Sequence, residues 1–130
     1  MKLKELLKTQ EPLKRLTEKR FSNYKTIRAL VNLRKAVDAE VEIYLEQEKK
    51  AIKAYAELDA NGNPVLLSEG RIRLRDEKSK AEFDRELTAL LEAEVESIKP
   101  VTLKEEDFCS DADMPTPNDV ITLEPIVIFE

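Results

Sequence analysis

Apolar residues recur along this chain at three- and four-residue spacing, the period that lines one face of a helix. Leu3, Leu6 and Leu7, then Leu13 and Leu16, follow it near the start. Pro12 stands between the two groups and predicts a division, because proline fits the first turn of a helix and not its interior. The longest stretch spans residues 22–58 with no Gly or Pro inside, and Ser22 is the expected N-cap. Its seam runs Ile27, Leu30, Arg34, Val37, Val41, Tyr44, Glu48, Ile52 or Ala51, Tyr55 and Leu58, the alternation of a coiled coil with two polar interruptions. A buried charge is costly unless paired, so Arg34 and Glu48 mark either the ends of an internal contact or places where a partner supplies the mate.

The segment Asp59-Ala60-Asn61-Gly62-Asn63-Pro64 ends that helix, since Asn61-Gly62 tolerates positive φ and Pro64 cannot continue it. Residues 65–67 and 71–74 then flank Ser68-Glu69-Gly70, which predicts a short β-hairpin over 65–74 with its apolar side chains inward. A second helix is expected from near Asp76 or Ser79, with Ser79 and Glu82 at capping-box spacing. Its stripe is Phe83, Leu87, Leu90, Leu91, Val95 and Ile98, with Pro100 as its stop. Residues 101–115 read as irregular and acidic. Thr116-Pro117-Asn118-Asp119 has a cap, a proline at the first position and an acid in the first turn, so a short helix to Leu123 is expected. Ile126-Val127-Ile128-Phe129 is too apolar to hang in water and must dock, pair as a strand or meet another subunit.

These elements predict a mainly α fold. It is an antiparallel helical coiled-coil hairpin over residues 1–100 with a small β-hairpin at its tip, and a partly extended acidic tail over 101–130. The long helix outruns the second one, leaving 27–37 to be covered by the amino-terminal stretch or by another copy. That leftover length implies a homo-oligomer, with Ile27, Leu30, Arg34, Val37, Ile126 and Ile128 as its interface.

Composition narrows the chemistry. In 130 residues there is no His, one Cys and two Gly. The commonest general base, the usual zinc ligand sets and a phosphate-cradling glycine loop are therefore missing. Cys109 sits among Glu105, Glu106, Asp107, Asp111 and Asp113, whose charge favours thiol over thiolate. Acid pairs at four-residue spacing occur at Asp38/Glu42, Glu42/Glu46, Glu82/Glu86 and Glu92/Glu96, while no Glu-x-x-Glu spacing falls between 20 and 100. Solvated helix faces account for those pairs, and a carboxylate-metal nucleotide hydrolase is the enzyme class they leave open. We expect no catalysis and no cofactor. With no run of about 18 apolar residues and no signal-like start, we expect no membrane insertion and a cytoplasmic location.

Charge divides sharply. Residues 1–35 carry eleven Lys or Arg against three Glu, a balance of +8, whereas the remainder stands at −13 and the whole at −5. Either the acidic end folds back on the basic start, or the basic start meets an anionic partner. For the second case Arg15, Lys19, Arg20, Tyr24 and Arg28 are the expected anion contacts, since arginines beside aromatic rings hold a phosphate and stack a base.

The order of long helix, Asp59 to Pro64 turn, hairpin, the helix ending Leu90-Leu91-Glu92-Ala93-Glu94-Val95-Glu96 and terminal Leu123-Glu124-Pro125 resembles a family of short phage-encoded proteins of unassigned function with a prefoldin-like outline. The resemblance covers roughly residues 20–130 and departs from the pattern at the apolar terminus. It implies a viral origin and carries over no residue roles. The expected function is a phage protein that occupies or sequesters a host factor, either a defence protein or its nucleotide signal, in the infected cell's cytoplasm. The alternative is a virion structural protein or a tail or capsid assembly chaperone.

Overall fold

The computed structural model describes residues 1–130 and is mainly helical. In chain order it has α1 (Leu3–Thr17), α2 (Tyr24–Tyr55), α3 (Glu77–Leu91), β1 (Val101–Leu103), α4 (Pro117–Leu123) and β2 (Val127–Phe129), with single 3-10 turns at Ser68–Gly70, Glu105–Asp107 and Asp111–Asp113. No helix is long and apolar enough to cross a membrane. Two compact units are present: Met1–Val41 with Glu94–Glu130, and Glu42–Ala93. Residues 101–130, expected as a tail docking on the body or on another subunit, thus belong with residues 1–41.

In the first unit, α1 is one helix and not two, with Pro12 buried inside it. Proline removes one backbone hydrogen bond, but Leu6, Leu13 and Leu16 on either side of it are buried too, and their burial outweighs the loss. Thr9, fully buried beside them, donates its hydroxyl to the Leu6 carbonyl at 2.6 Å. Along the opening half of α2 the buried positions are Leu30, Leu33, Val37 and Val41. Gln10 donates to Asp38 at 3.1 Å and Arg34 to the Thr17 hydroxyl at 2.9 Å, so α1 runs back along α2. The Leu30, Leu33 and Val37 side of the long helix's leftover length is therefore covered, while Ile27 and Val31 stay exposed. The true seam passes through Leu33, which turns Arg34 outward to a solvated place beside Asp38, 3.9 Å away. Arg34 is not a buried charge awaiting a partner.

The cap of α2 is Asn23, whose Oδ1 accepts the Thr26 N–H at 2.8 Å. Ser22, the expected cap, donates instead to the Glu106 carbonyl at 2.9 Å. Thr116 caps α4 by accepting from the Asp119 N–H at 3.3 Å, with Pro117 in the first turn. The apolar terminus pairs as β2 with β1 in parallel, Val101 opposite Val127 and Leu103 opposite Phe129. This two-stranded sheet is the only one, and it is parallel, not a hairpin. Ile126 and Val127 are buried there with Leu103 and Leu123.

In the second unit the closing part of α2 faces α3. The Tyr55 and Phe83 rings meet edge to face at 6.5 Å and Tyr55 donates to Glu86 at 3.4 Å. Phe83, Leu87, Leu90 and Leu91 are only half-buried. The two helices do not interlock as the expected coiled coil, and a groove of about 520 Å³ opens between Ala51, Ala54, Ala89 and Leu90. Asp76, not Ser79, caps α3, its carboxylate accepting the Ser79 N–H at 2.7 Å, which holds the acid below its ordinary pKa. The helix stops at Leu91, well before Pro100, because residues 94 and 95 join the amino terminus: the Val95 N–H donates to the Met1 carbonyl at 2.8 Å, and Lys2 bridges Glu94. Val95 and Ile98 therefore fall outside it.

The expected hairpin over 65–74 does not form strands. Within it Leu66 alone bridges Ile72, across a turn in which Glu69 and Gly70 take positive φ, and further isolated antiparallel bridges tie Leu58 to Pro64 and Ala56 to Leu74. Leu66 and Leu67 point outward, contrary to expectation. Tyr44, buried on α2, donates to Glu48 at 2.8 Å; burial first and then that carboxylate push its phenol up to about 12. The second polar position of the seam is thus met inside its own helix.

Candidate functional site

The junction between α1 and α2, residues 18–23, is where the acidic and basic parts of the chain meet. The Ser22 N–H donates to the Asp107 carbonyl at 2.8 Å and the Cys109 N–H to the Arg20 carbonyl at 3.1 Å, a backbone clasp with Phe21 opposite Phe108. Those two rings sit 5.1 Å apart at 41°. The Asp107 carboxylate accepts from Asn23 at 3.2 Å and from the Thr26 hydroxyl at 3.3 Å. The Lys104 backbone N–H is the largest influence on Asp107, with these two donors added, and its carboxyl titrates below the usual range. An internal carboxylate is therefore held by two side chains at the start of α2, Asn23 and Thr26.

Arg15 is likewise committed. Its Nε donates to Asp119 Oδ2 at 3.0 Å and its Nη2 to Oδ1 at 2.7 Å, a bidentate pair that lowers the Asp119 pKa and raises that of Arg15. Lys19 adds its charge near the same carboxylate. The Arg20 backbone N–H reaches Asp113 at 3.3 Å, while its guanidinium enters no ion pair. The acidic end folds back on Arg15 and on the backbone at Arg20, while the outer cations remain exposed.

Beside this clasp lies a slot of about 300 Å³, walled by Phe21, Ile27, Leu30 and Val31, with Lys19, Arg20 and Cys109 at its margin. Ile27 and Val31, one helical turn apart, are each 40% exposed, and Leu30 forms a buried side at 2%. Tyr24 and Arg28 continue the same outward stripe of α2, with Tyr24 70% exposed and its hydroxyl accepting from Arg28 at 3.3 Å.

The structure thus gathers Lys19, Arg20, Ile27 and Leu30 at one slot, with Tyr24 and Arg28 alongside. Arg15 lies apart, neutralised by Asp119. Of the other expected interface residues, Val37 and Ile126 are fully buried, which takes them off any partner surface, and Leu30 is reached only from within the slot. Ile128 is exposed at 49%, but on β2. Val31 and Cys109 were not foreseen as part of this face. The spacing of Tyr24, Ile27, Arg28 and Val31 at 0, 3, 4 and 7 carried the signal for Val31, whereas nothing local places Cys109 beside Arg20.

No three carboxylate or cysteine side chains converge as a shared cation would require. Asp38, the first of the spaced acids, is taken up by Gln10 and Arg34. A wider depression of about 600 Å³ is rimmed by Glu105, Glu106, Asp111 and Glu130 and repels anions. No family model, curated protein or solved structure matches the chain.

Proposed function

We propose that this chain is a non-catalytic binding protein of phage origin that occupies a host protein through the outward face of α2 and the slot beside it. The observation that carries the reading is the slot itself, an apolar recess with Lys19 and Arg20 at its margin and an exposed Tyr24–Arg28 pair alongside. Tyr and Arg on a rigid helix beside a recess are the residue types on which binding energy concentrates. The resemblance to phage-encoded proteins supplies the setting, the cytoplasm of an infected cell. A host defence protein suits this face better than its nucleotide signal, since Arg15 is already paired with Asp119, and the Asn23 and Thr26 side chains with Asp107. The argument for a homo-oligomer rested on an uncovered 27–37 stretch, of which the Leu30, Leu33 and Val37 side is covered within the chain; the partner proposed for the side left exposed is a different protein.

The test is affinity capture from host lysate with the wild type and with Arg20→Glu/Arg28→Glu. We expect a captured protein, identified by mass, that the double variant loses at least about tenfold, equivalent to 1.4 kcal/mol, while far-ultraviolet dichroism is unchanged. Identical captured sets would defeat the reading.

A second reading, assembly chaperone or virion component, is favoured by Leu58, Leu66 and Leu67, which stand exposed together at the bridged turn of the second unit. Co-purification with virions or their precursors checks it.

A further inference from the structure

We propose that the slot between Phe21, Ile27, Leu30 and Val31 receives one large apolar side chain from a protein segment whose flanking positions carry carboxylates. This rests on the binding reading above and deepens it by naming the partner's chemistry.

Volume sets the first limit. About 300 Å³ lies at the lower bound of small-molecule pockets, room for one leucine or aromatic side chain with its neighbouring backbone rather than for a drug-sized molecule. Its walls set the second. Ile27 and Val31 present methyl groups one turn apart, Leu30 and Phe21 close the sides, and Phe21 is braced by Phe108 at 5.1 Å, so the recess is preformed and apolar. Charge supplies the third. The Arg20 guanidinium has no carboxylate in the chain, Lys19 stands beside it, and Arg28 lies along the stripe with only the Tyr24 hydroxyl as partner.

These cations are spread along the face and do not converge. Phosphate recognition needs several donors aimed at one point, and the Arg15 guanidinium and the Asn23 side-chain amide already serve Asp119 and Asp107. Carboxylates spaced along an extended or helical segment match a spread of cations. Each such rim pair adds little affinity, but together they select sign and register. The apolar anchor supplies the affinity and the acids choose which anchor is accepted.

Cys109 is the chain's only cysteine, is exposed, and lines the slot, so its alkylation by neutral iodoacetamide reports occupancy. The probes are a short synthetic peptide of Asp, Glu and Ser with a central Leu or Phe, the same peptide with a central Gly, and ATP. The anchored peptide is expected to slow alkylation and to bind at least about tenfold tighter than the Gly peptide, the value of burying one such side chain. Val31→Glu and, independently, Ile27→Glu are expected to abolish both effects; both positions are exposed, and dichroism verifies that α2 persists. Equal binding of anchored and Gly peptides overturns the proposal, leaving only a charged patch. Protection by ATP and not by peptide overturns it in favour of a nucleotide, and protection that rises with protein concentration alone overturns it in favour of a second copy. If capture of a host protein stays sensitive to Arg20→Glu/Arg28→Glu while the peptides fail, the binding function stands and only the slot's occupant is wrong. If capture is insensitive as well, both fall.

Discussion

Asp119 and Asp107 show what single side chains contribute here. Asp119 is held by Arg15 through two parallel hydrogen bonds, and Asp107 by the Lys104 amide together with Asn23 and Thr26, so both carboxyls titrate below the usual range. A carboxylate depressed in the folded protein stabilises it wherever the unfolded chain is also ionised, above about pH 4. That contribution is lost as pH falls through the folded values. The midpoint of thermal unfolding should therefore be flat near neutrality and drop steeply below about pH 4. In Asp119→Asn the neutral-pH midpoint should be lower and the acid drop shallower, as read by calorimetry across the acid range. A variant with the same acid slope as the wild type would show that the pair contributes nothing to folding.

Among the elements, α2 shows how a boundary is chosen by competition. Ser22 and Asn23 both have cap chemistry, but Ser22 is drawn to the Glu106 and Asp107 carbonyls, so Asn23 takes the cap and the helix begins at Tyr24. Asn23→Ala removes both the cap and the Asn23 donor to Asp107, and should cost about 1 kcal/mol or somewhat more in denaturant unfolding. Ser22→Ala leaves that cap in place and should cost less. α3 illustrates the same competition at a C-terminus, where pairing of residues 94 and 95 with the first residues of the chain overrides a periodic pattern that reaches Ile98.

For the molecule as a whole, the buried apolar side chains are unevenly shared. The unit formed by Met1–Val41 and Glu94–Glu130 buries Leu6, Leu13, Leu16, Leu30, Leu33, Val37, Leu103, Phe108, Leu123 and Ile126 among others, whereas Glu42–Ala93 buries only Tyr44, Ala51 and Ala56. Apolar burial is the main term holding either together. Native-state hydrogen exchange should thus find the amides of α3 and of the bridged turn opening at lower free energy than those of α1 and the Leu30–Val41 stretch of α2. Equal protection throughout would show one cooperative unit.

Local chemistry sufficed for the features that depend on neighbours a few residues away. A long helix without Gly or Pro, the Asp59 to Pro64 turn, the Thr116-Pro117 helix start and the need of Ile126 to Phe129 for cover could all be read from spacing and residue type, because caps, turns and amphipathic faces are short-range effects. Distant segments settled the remainder. Whether Pro12 broke its helix depended on the burial of Leu6, Leu13 and Leu16, and the place of Arg34 on which stripe α1 covered. The parallel pairing of β1 with β2 and the juxtaposition of Phe21, Val31 and Cys109 join residues that no periodicity relates. Contacts between segments far apart in the chain leave no local signal, since many partners satisfy the same apolar or charged side chain and only the folded packing selects one.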